Sequence, residues 1–281
     1  MVKLLIFDLD GVLYTGDEPV PFAVESVNAL RRRGFTVRFL TNNSSRTRAF
    51  YADKLQDMGF QASEDEMMSS ASAARRLLLE RSPGGARVFV IGEEGLYEEL
   101  GPEFRVVGPG ELETADYVVV GFDREFNYEK LANGLEALLA GAEFIATNLD
   151  ATYPMPGGKL LPGGGSIVAA LAAAAGREPV VTGKPNPAGI RALMADAGAA
   201  PEETLLIGDR PSTDMATARN AGTLSCLVLT GVASPAQALA LPDVLKPDFI
   251  INDLRELASL DCLKDGGAAL LRENHEAGKE S

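Results

Sequence analysis

Tryptophan is absent from this chain of 281 residues, histidine occurs once, as His275, and cysteine only as Cys226 and Cys262. Each scarcity removes a class of chemistry. Two cysteines build neither a disulfide framework nor a cysteine zinc site. One histidine in a polar tail argues against hydrolases that pair serine or cysteine with a histidine base, and against histidine-ligated zinc. Proton transfer then falls to carboxylates, lysine, tyrosine or water. Long apolar runs are missing too: the longest plain stretch, Ile167 to Ala175, is far shorter than a bilayer requires. Positive charge is short as well, with 26 Lys and Arg against 40 Asp and Glu for a net charge of −14. That balance argues against a nucleic-acid partner, which needs clustered cations. It does not bar small anions, because one local cation can dominate a site. No leader-like segment precedes the first apolar run, so the expected compartment is the cytoplasm, with no membrane partner.

What is present suits a globular protein: 46% hydrophobic and 23% charged residues, in a chain long enough for one or two domains. Strand and helix signals alternate, which predicts a parallel sheet covered by helices. Lys3 to Asp8 reads as a buried strand, Pro21 to Arg33 as a helix stopped by Gly34, Thr36 to Leu40 as a strand and Arg46 to Met58 as a helix. Ser63 is placed to cap a helix running through to Glu80. Ser82-Pro83-Gly84-Gly85 then marks a boundary. A second alternation follows, with strands at Arg87 to Ile91, Tyr117 to Val120 and Glu143 to Ala146, and helices at Glu93 to Leu100 and Tyr128 to Leu139. A proline- and glycine-rich loop from Tyr153 to Gly165 precedes an alanine-rich helix, Ser166 to Ala175, and a closing strand, Pro179 to Val181. Strands then resume at Thr204 to Ile207, Leu224 to Leu229 and Asp248 to Ile251. The expected division is a core in two parts, 1–79 and 182–263, an insert at 80–181 and a frayed tail at 264–281.

Four segments place polar groups just after strands. In Leu4-Leu5-Ile6-Phe7-Asp8-Leu9-Asp10-Gly11, strand alternation sends Asp8 and Asp10 to one side where the strand runs out. Adjacent carboxylates repel, a cost that persists where a cation or a function offsets it. Leu40-Thr41-Asn42-Asn43 offers a hydroxyl and backbone amides entering a helix, either an oxyanion cradle or a plain helix cap. Gly183-Lys184-Pro185-Asn186-Pro187 fixes a lysine that neutralises a phosphate or simply lies at the surface. Gly208-Asp209 to Asp214 ends a strand with one acid and starts a helical turn with another. These are oxygen donors for Mg²⁺ in one reading, a helix cap with an incidental acid in the other.

Taken together and in this order, the segments resemble the four signatures of the haloacid dehalogenase superfamily of phosphohydrolases. The match narrows to the NagD-like and p-nitrophenyl phosphatase subgroup, which carries a large α/β cap between the second and third signatures. Ala146-Thr147-Asn148-Leu149-Asp150 and Pro162-Gly163-Gly164-Gly165-Ser166 resemble its cap. The resemblance implies a doubly wound, Rossmann-like parallel-sheet core with an inserted α/β cap domain. It implies Mg²⁺-dependent hydrolysis of small phosphomonoesters through an aspartyl-phosphate on Asp8, with Asp10 as general acid and then base. Asp8, the Asp10 carbonyl, Asp209 and Asp214 would hold the metal. Thr41, Asn42, Asn43 and Lys184 would bind phosphoryl oxygens, and Tyr153 of the cap loop would meet the leaving group or merely shape the loop. The pyridoxal phosphatases of the subgroup carry histidine where this chain has Tyr153. The partner implied is a small phosphorylated metabolite such as a sugar phosphate, phosphoglycolate, a nucleotide or p-nitrophenyl phosphate. Homodimerisation, common in the subgroup, comes with it. A phosphotransferase would use the same residues. A dehalogenase would need neither Asp10 nor Asp209 and Asp214, and no Walker-type nucleotide loop occurs.

Overall fold

Leu4–Phe7 (β1) is apolar and buried along its whole length, as a strand covered on both faces must be. The computed structural model describes residues 1–154 and 160–264. After β1 come the hairpin strands β2 (Tyr14–Thr15) and β3 (Glu18–Pro19), helix α1 (Ala23–Arg32), β4 (Thr36–Thr41), α2 (Arg48–Asp57), β5 (Met67–Ser69) and α3 (Ser70–Arg81). Then follow β6 (Ala86–Ile91), α4 (Glu94–Leu100), β7 (Phe104–Val106), β8 (Tyr117–Val120), α5 (Tyr128–Leu139), β9 (Glu143–Ala146), β10 (Thr152–Pro154), β11 (Leu160–Pro162), α6 (Gly164–Ala175) and β12 (Val180–Val181). The last elements are α7 (Ala188–Asp196), β13 (Thr204–Gly208), a helical turn at Pro211–Met215, α8 (Ala216–Ala221), β14 (Leu224–Val228), α9 (Pro235–Leu239), β15 (Phe249–Ile251) and α10 (Asp261–Lys264).

The described residues gather into two compact units. One holds Met1–Thr41, Ala52–Met68 and the residues from Ile190 onward; the other holds Asn42–Tyr51 and Ser69–Gly189. The first unit is built on a six-stranded sheet in the order β15-β14-β13-β1-β4-β5. Its central strand β1 runs parallel to both neighbours, with Phe7 opposite Phe39 on one side and Ile207 on the other. From β1 the chain steps outward through β4 to β5, and later outward the other way through β13, β14 and β15. The reversal falls between β1 and β13. Open α/β sheets bind ligands beyond the carboxyl ends of strands at such a switch point.

The second unit has its own five-stranded parallel sheet, in the order β12-β9-β8-β6-β7. Alternation along the strands gives it two apolar faces. Val88, Val90, Val119 and Ile145 pack with Leu78 of α3 and Leu96 and Leu100 of α4. Phe89, Ile91, Val118, Val120 and Phe144 pack with Leu138 of α5 and Leu171 of α6. The result is the parallel-sheet α/β architecture expected from the alternation of elements.

Several elements depart from expectation. Ser63 caps only one short turn, Glu64–Glu66, and Met67–Ser69 then forms a buried edge strand. The following helix has its own cap, the Ser69 hydroxyl accepting from the Ser72 amide at 3.1 Å. A buried Met-Met-Ser edge competes here with a helical pattern that local periodicity favoured. The expected loop at Tyr153 to Gly165 contains the hairpin β10–β11, and α6 starts at Gly164. Residues 155–159 of that loop, and the expected frayed tail with His275, lie outside the described residues. Among the described residues no helix is long and apolar enough to cross a membrane.

Candidate active site

In the first unit the parallel register of β1 and β13 brings the residues that follow each strand to one end of the sheet. The Asp8 amide donates to the Ile207 carbonyl at 2.9 Å, so Asp8 emerges beside Gly208-Asp209. The helical turn after β13 returns Asp214 to the same place. Carboxylate oxygens of Asp8, Asp209 and Asp214 all lie within 4.8 Å of one another, and all three residues are buried. Thr41, also buried, ends β4 on the other side of β1. Asp10 is exposed, its backbone bridged to Tyr14.

The acids are held by backbone. Asp209 Oδ2 accepts from the Val232 amide at 2.7 Å and Asp214 Oδ2 from the Arg210 amide at 3.0 Å. Two glycines close around Asp209: a methyl group on either Gly11 or Gly231 would overlap its carboxylate. Gly11 also has φ +78°, a left-handed conformation that side chains disfavour. Three buried carboxylates this close repel one another and have lost hydration. An all-oxygen, triply acidic donor set matches a hard divalent cation such as Mg²⁺, which would relieve both costs.

The second unit holds the remaining polar residues. The Asn42 carboxamide clamps one peptide unit after another around Lys184: its Oδ1 accepts from the Lys184 amide at 2.7 Å, and its Nδ2 donates to the Lys184 carbonyl at 3.1 Å. The same Nδ2 donates to Asp150 Oδ2 at 3.0 Å. The Asn42 carbonyl accepts from Ser70 Oγ at 2.6 Å and from Asn148 Nδ2 at 2.8 Å. Lys184 is itself buried. The Asn43 carboxamide shapes its own turn, accepting from the amide and hydroxyl of Ser45 at 3.0 and 2.8 Å. Tyr153, on β10, meets the Phe122 ring edge-on at 5.1 Å. Phe122 lies under the Arg124 guanidinium, which forks onto Glu93 at 2.7 Å through each of two nitrogens. Burial pushes the Glu93 carboxyl up, but the Arg124 hydrogen bonds outweigh it and hold the group below its ordinary range.

Asp8, Asp209 and Asp214 thus come together as one cluster, and Asn42, Lys184 and Asp150 as another. Asp10 is not among the clustered carboxylates. Reading the sequence missed Gly231 and Val232, showed Asn148 only as part of the cap motif, and gave the Asn42 side chain no task. The Thr230-Gly231 pair just past a strand was the available signal for the first two.

A family model described as haloacid dehalogenase-like hydrolase matches residues 5–102, and a second, HAD-hydrolase-like model matches residues 181–257. The chain is 39% identical over 254 residues to the 5'-nucleotidase YutF of Bacillus subtilis, spanning 90% of this chain and 96% of that protein. The p-nitrophenyl phosphatase from Archaeoglobus fulgidus superposes with a TM-score of 0.85 at 35% identity, covering 92% of this chain and 98% of the other. A glycerol phosphate phosphatase from Mycobacterium tuberculosis, solved in complex with magnesium, superposes with a TM-score of 0.84 at 38% identity, covering 91% and 77%.

Proposed function

The chain belongs to the haloacid dehalogenase-like hydrolases, among the NagD-like p-nitrophenyl phosphatases, and from that premise we propose that it hydrolyses small phosphomonoesters through a phosphorylated Asp8. The observation that carries the proposal is the buried triad of Asp8, Asp209 and Asp214 within 4.8 Å at the sheet's switch point. Asp8 Oδ attacks phosphorus and forms the acyl-phosphate bond as the ester P–O bond breaks, and the Asp10 carboxyl gives its proton to the departing oxygen. Asp10, now a carboxylate, takes a proton from water as that water attacks the acyl phosphate, which releases inorganic phosphate and restores both acids. The Thr41 hydroxyl, the Asn42 amide and the Lys184 ammonium bind phosphoryl oxygens, where positioned charge does most of the work. Asp8, Asp209, Asp214 and the Asp10 carbonyl would hold Mg²⁺. When bound, the ion neutralises phosphoryl charge and lets the carboxylates approach it.

Residues 80–181 act as the cap of the enzyme in this reading, and Asp150 and Tyr153 on it face the leaving group. The substrates proposed are small phosphomonoesters: glycerol phosphate and sugar phosphates, phosphoglycolate, p-nitrophenyl phosphate and nucleotides. The proposal includes a cytoplasmic location.

The test is phosphate release from such a set by the purified protein with Mg²⁺, with EDTA as control. Asp8→Asn is expected to remain folded by circular dichroism and to lose all measurable turnover. An active Asp8→Asn protein would falsify the nucleophile assignment.

A further inference from the structure

Asp10 sits in a short connection between β1 and the β2–β3 hairpin, and backbone hydrogen bonds tie that connection to both. The Gly11 amide donates to the Tyr14 carbonyl at 2.8 Å, the Leu13 amide to the Leu9 carbonyl at 2.8 Å, and Asp10 bridges Tyr14. Asp10 is thereby coupled to Tyr14 and its hairpin on one side and, through the Thr230 hydroxyl that donates to the Gly11 carbonyl at 2.7 Å, to the loop after β14 on the other. The hairpin pairs Tyr14 with Pro19 and Thr15 with Glu18, and the Val20 amide donates to the Leu13 carbonyl at 2.9 Å; so short a ribbon is marginal without outside support.

The base of the hairpin is held in the core, where Leu13 and Tyr14 are buried, and its turn is held from the middle of α2. Lys54 Nζ donates to the Gly16 carbonyl at 2.7 Å and to Asp17 Oδ1 at 3.1 Å, both in the hairpin turn. The same ammonium lies 4.3 Å from the centroid of the Tyr14 ring. One cation thus holds the turn and the first strand of the hairpin together, using directed hydrogen bonds and the ring face. Its side chain is 21% exposed, whereas Asp17 is 97% exposed. The anchor is the lysine on its helix and the loose partner is the turn.

We propose that Lys54 is a positioning residue for the acid step: by fixing the β2–β3 hairpin against α2 it sets the Tyr14-to-Asp10 bridge, and hence the aim of the Asp10 carboxyl at the departing oxygen. The proposal rests on the role of Asp10 given above. Its signature follows from chemistry. An alkoxide leaves with a proton, whereas p-nitrophenolate leaves without one, so in kcat/KM, which ends at phosphoryl transfer to Asp8 and does not include the shared hydrolysis step, a misaimed acid harms the first ester and spares the second. A lysine that merely stabilised the fold would affect both alike.

The experiment compares glycerol phosphate with p-nitrophenyl phosphate, each with Mg²⁺, for wild type, Lys54→Met, Lys54→Gln and Lys54→Arg. Lys54→Met is expected to lose about tenfold or more in kcat/KM on glycerol phosphate and less than about twofold on p-nitrophenyl phosphate. Lys54→Arg, which keeps a cation with donors, should restore most of the loss. Lys54→Gln, with a shorter stem and a neutral donor, should show the same selective loss in milder form and supplies the reading if Lys54→Met fails to fold. Amide hydrogen exchange should quicken across residues 13–20 in the Met and Gln variants, with the strands of the central sheet unchanged. Equal losses on the two esters, no loss on either, or unchanged exchange overturns the proposal while leaving the phosphatase intact. A wild-type protein inert on both esters with Mg²⁺ overturns the phosphatase reading and this proposal with it.

Discussion

The acid cluster and the Tyr153 hairpin are built on opposite principles. Around Asp209 there is no room for a side chain on Gly11 or Gly231, and the Val232 amide fixes one carboxylate oxygen at 2.7 Å. Around Tyr153 the contacts are softer, an edge-on ring at 5.1 Å and an arginine whose side chain is 60% exposed. Tight backbone packing suits a reaction that is the same for every phosphate ester. Side chains on a short surface hairpin suit a leaving group that varies, because they can be exchanged without disturbing the strands beneath. The contrast makes a graded set of expectations.

The largest effect is expected at Gly11. Gly11→Ala adds a methyl group that collides with Asp209 and adopts a left-handed φ, so it should cost roughly 1–3 kcal/mol of stability from strain alone. Thermal unfolding should fall accordingly, and phosphate release should drop about a hundredfold because Asp209 is displaced. A Gly11→Ala protein with wild-type melting and turnover would end the claim that this end of the sheet is intolerant.

Asn42→Ala comes next. It leaves the Lys184 amide and carbonyl without the clamp at 2.7 and 3.1 Å. A fall of about ten- to a hundredfold in kcat/KM is expected, with weaker inhibition by inorganic phosphate, since a slight misplacement of the lysine is enough. Unchanged phosphate inhibition would break the link between this clamp and anion binding.

Smaller effects are expected on the hairpin side. Tyr153→Ala removes one edge-to-face pair, a contact worth about 0.5–1.5 kcal/mol, and should alter KM a few-fold, differently for different esters, with kcat nearly constant. A uniform kcat loss of a hundredfold would place Tyr153 with the rigid chemistry. The smallest effect concerns pH. Glu93 is held below its ordinary value of 4.5 in the folded protein, so its pairing stabilises the fold above that pH and is lost as pH falls through the lowered value. With Arg124 largely exposed, Glu93→Gln should remove only a fraction of a kcal/mol of the stability measured by denaturant at neutral pH, and none of it at the acid end.

The positions that gather at the end of the central sheet were legible because they obey short-range rules. Apolar runs ending in Asp8 and Asp209 read as buried strands, and alternation together with parallel packing sends both acids to one end. The alternating strands and helices likewise announced the second sheet, whose valine-rich strands are buried on both faces. Long-range pairings were not legible. Asn42 and Lys184 are joined across 142 positions, and Lys54 reaches Gly16 across 38, with no local pattern to mark either. Met67–Ser69 was misread because three residues at a sheet edge carry too little periodicity to outvote the helix beside them.

The placement of β1 has a consequence for how the protein is made. Phe7 pairs with Ile207, 200 positions later, so on a ribosome the strand bearing Asp8 waits on the order of ten seconds or more for its neighbour. During that interval an apolar central strand has one side unpaired, an open template for other chains. Slow translation or a premature stop between these strands should therefore yield aggregate rather than a less active enzyme.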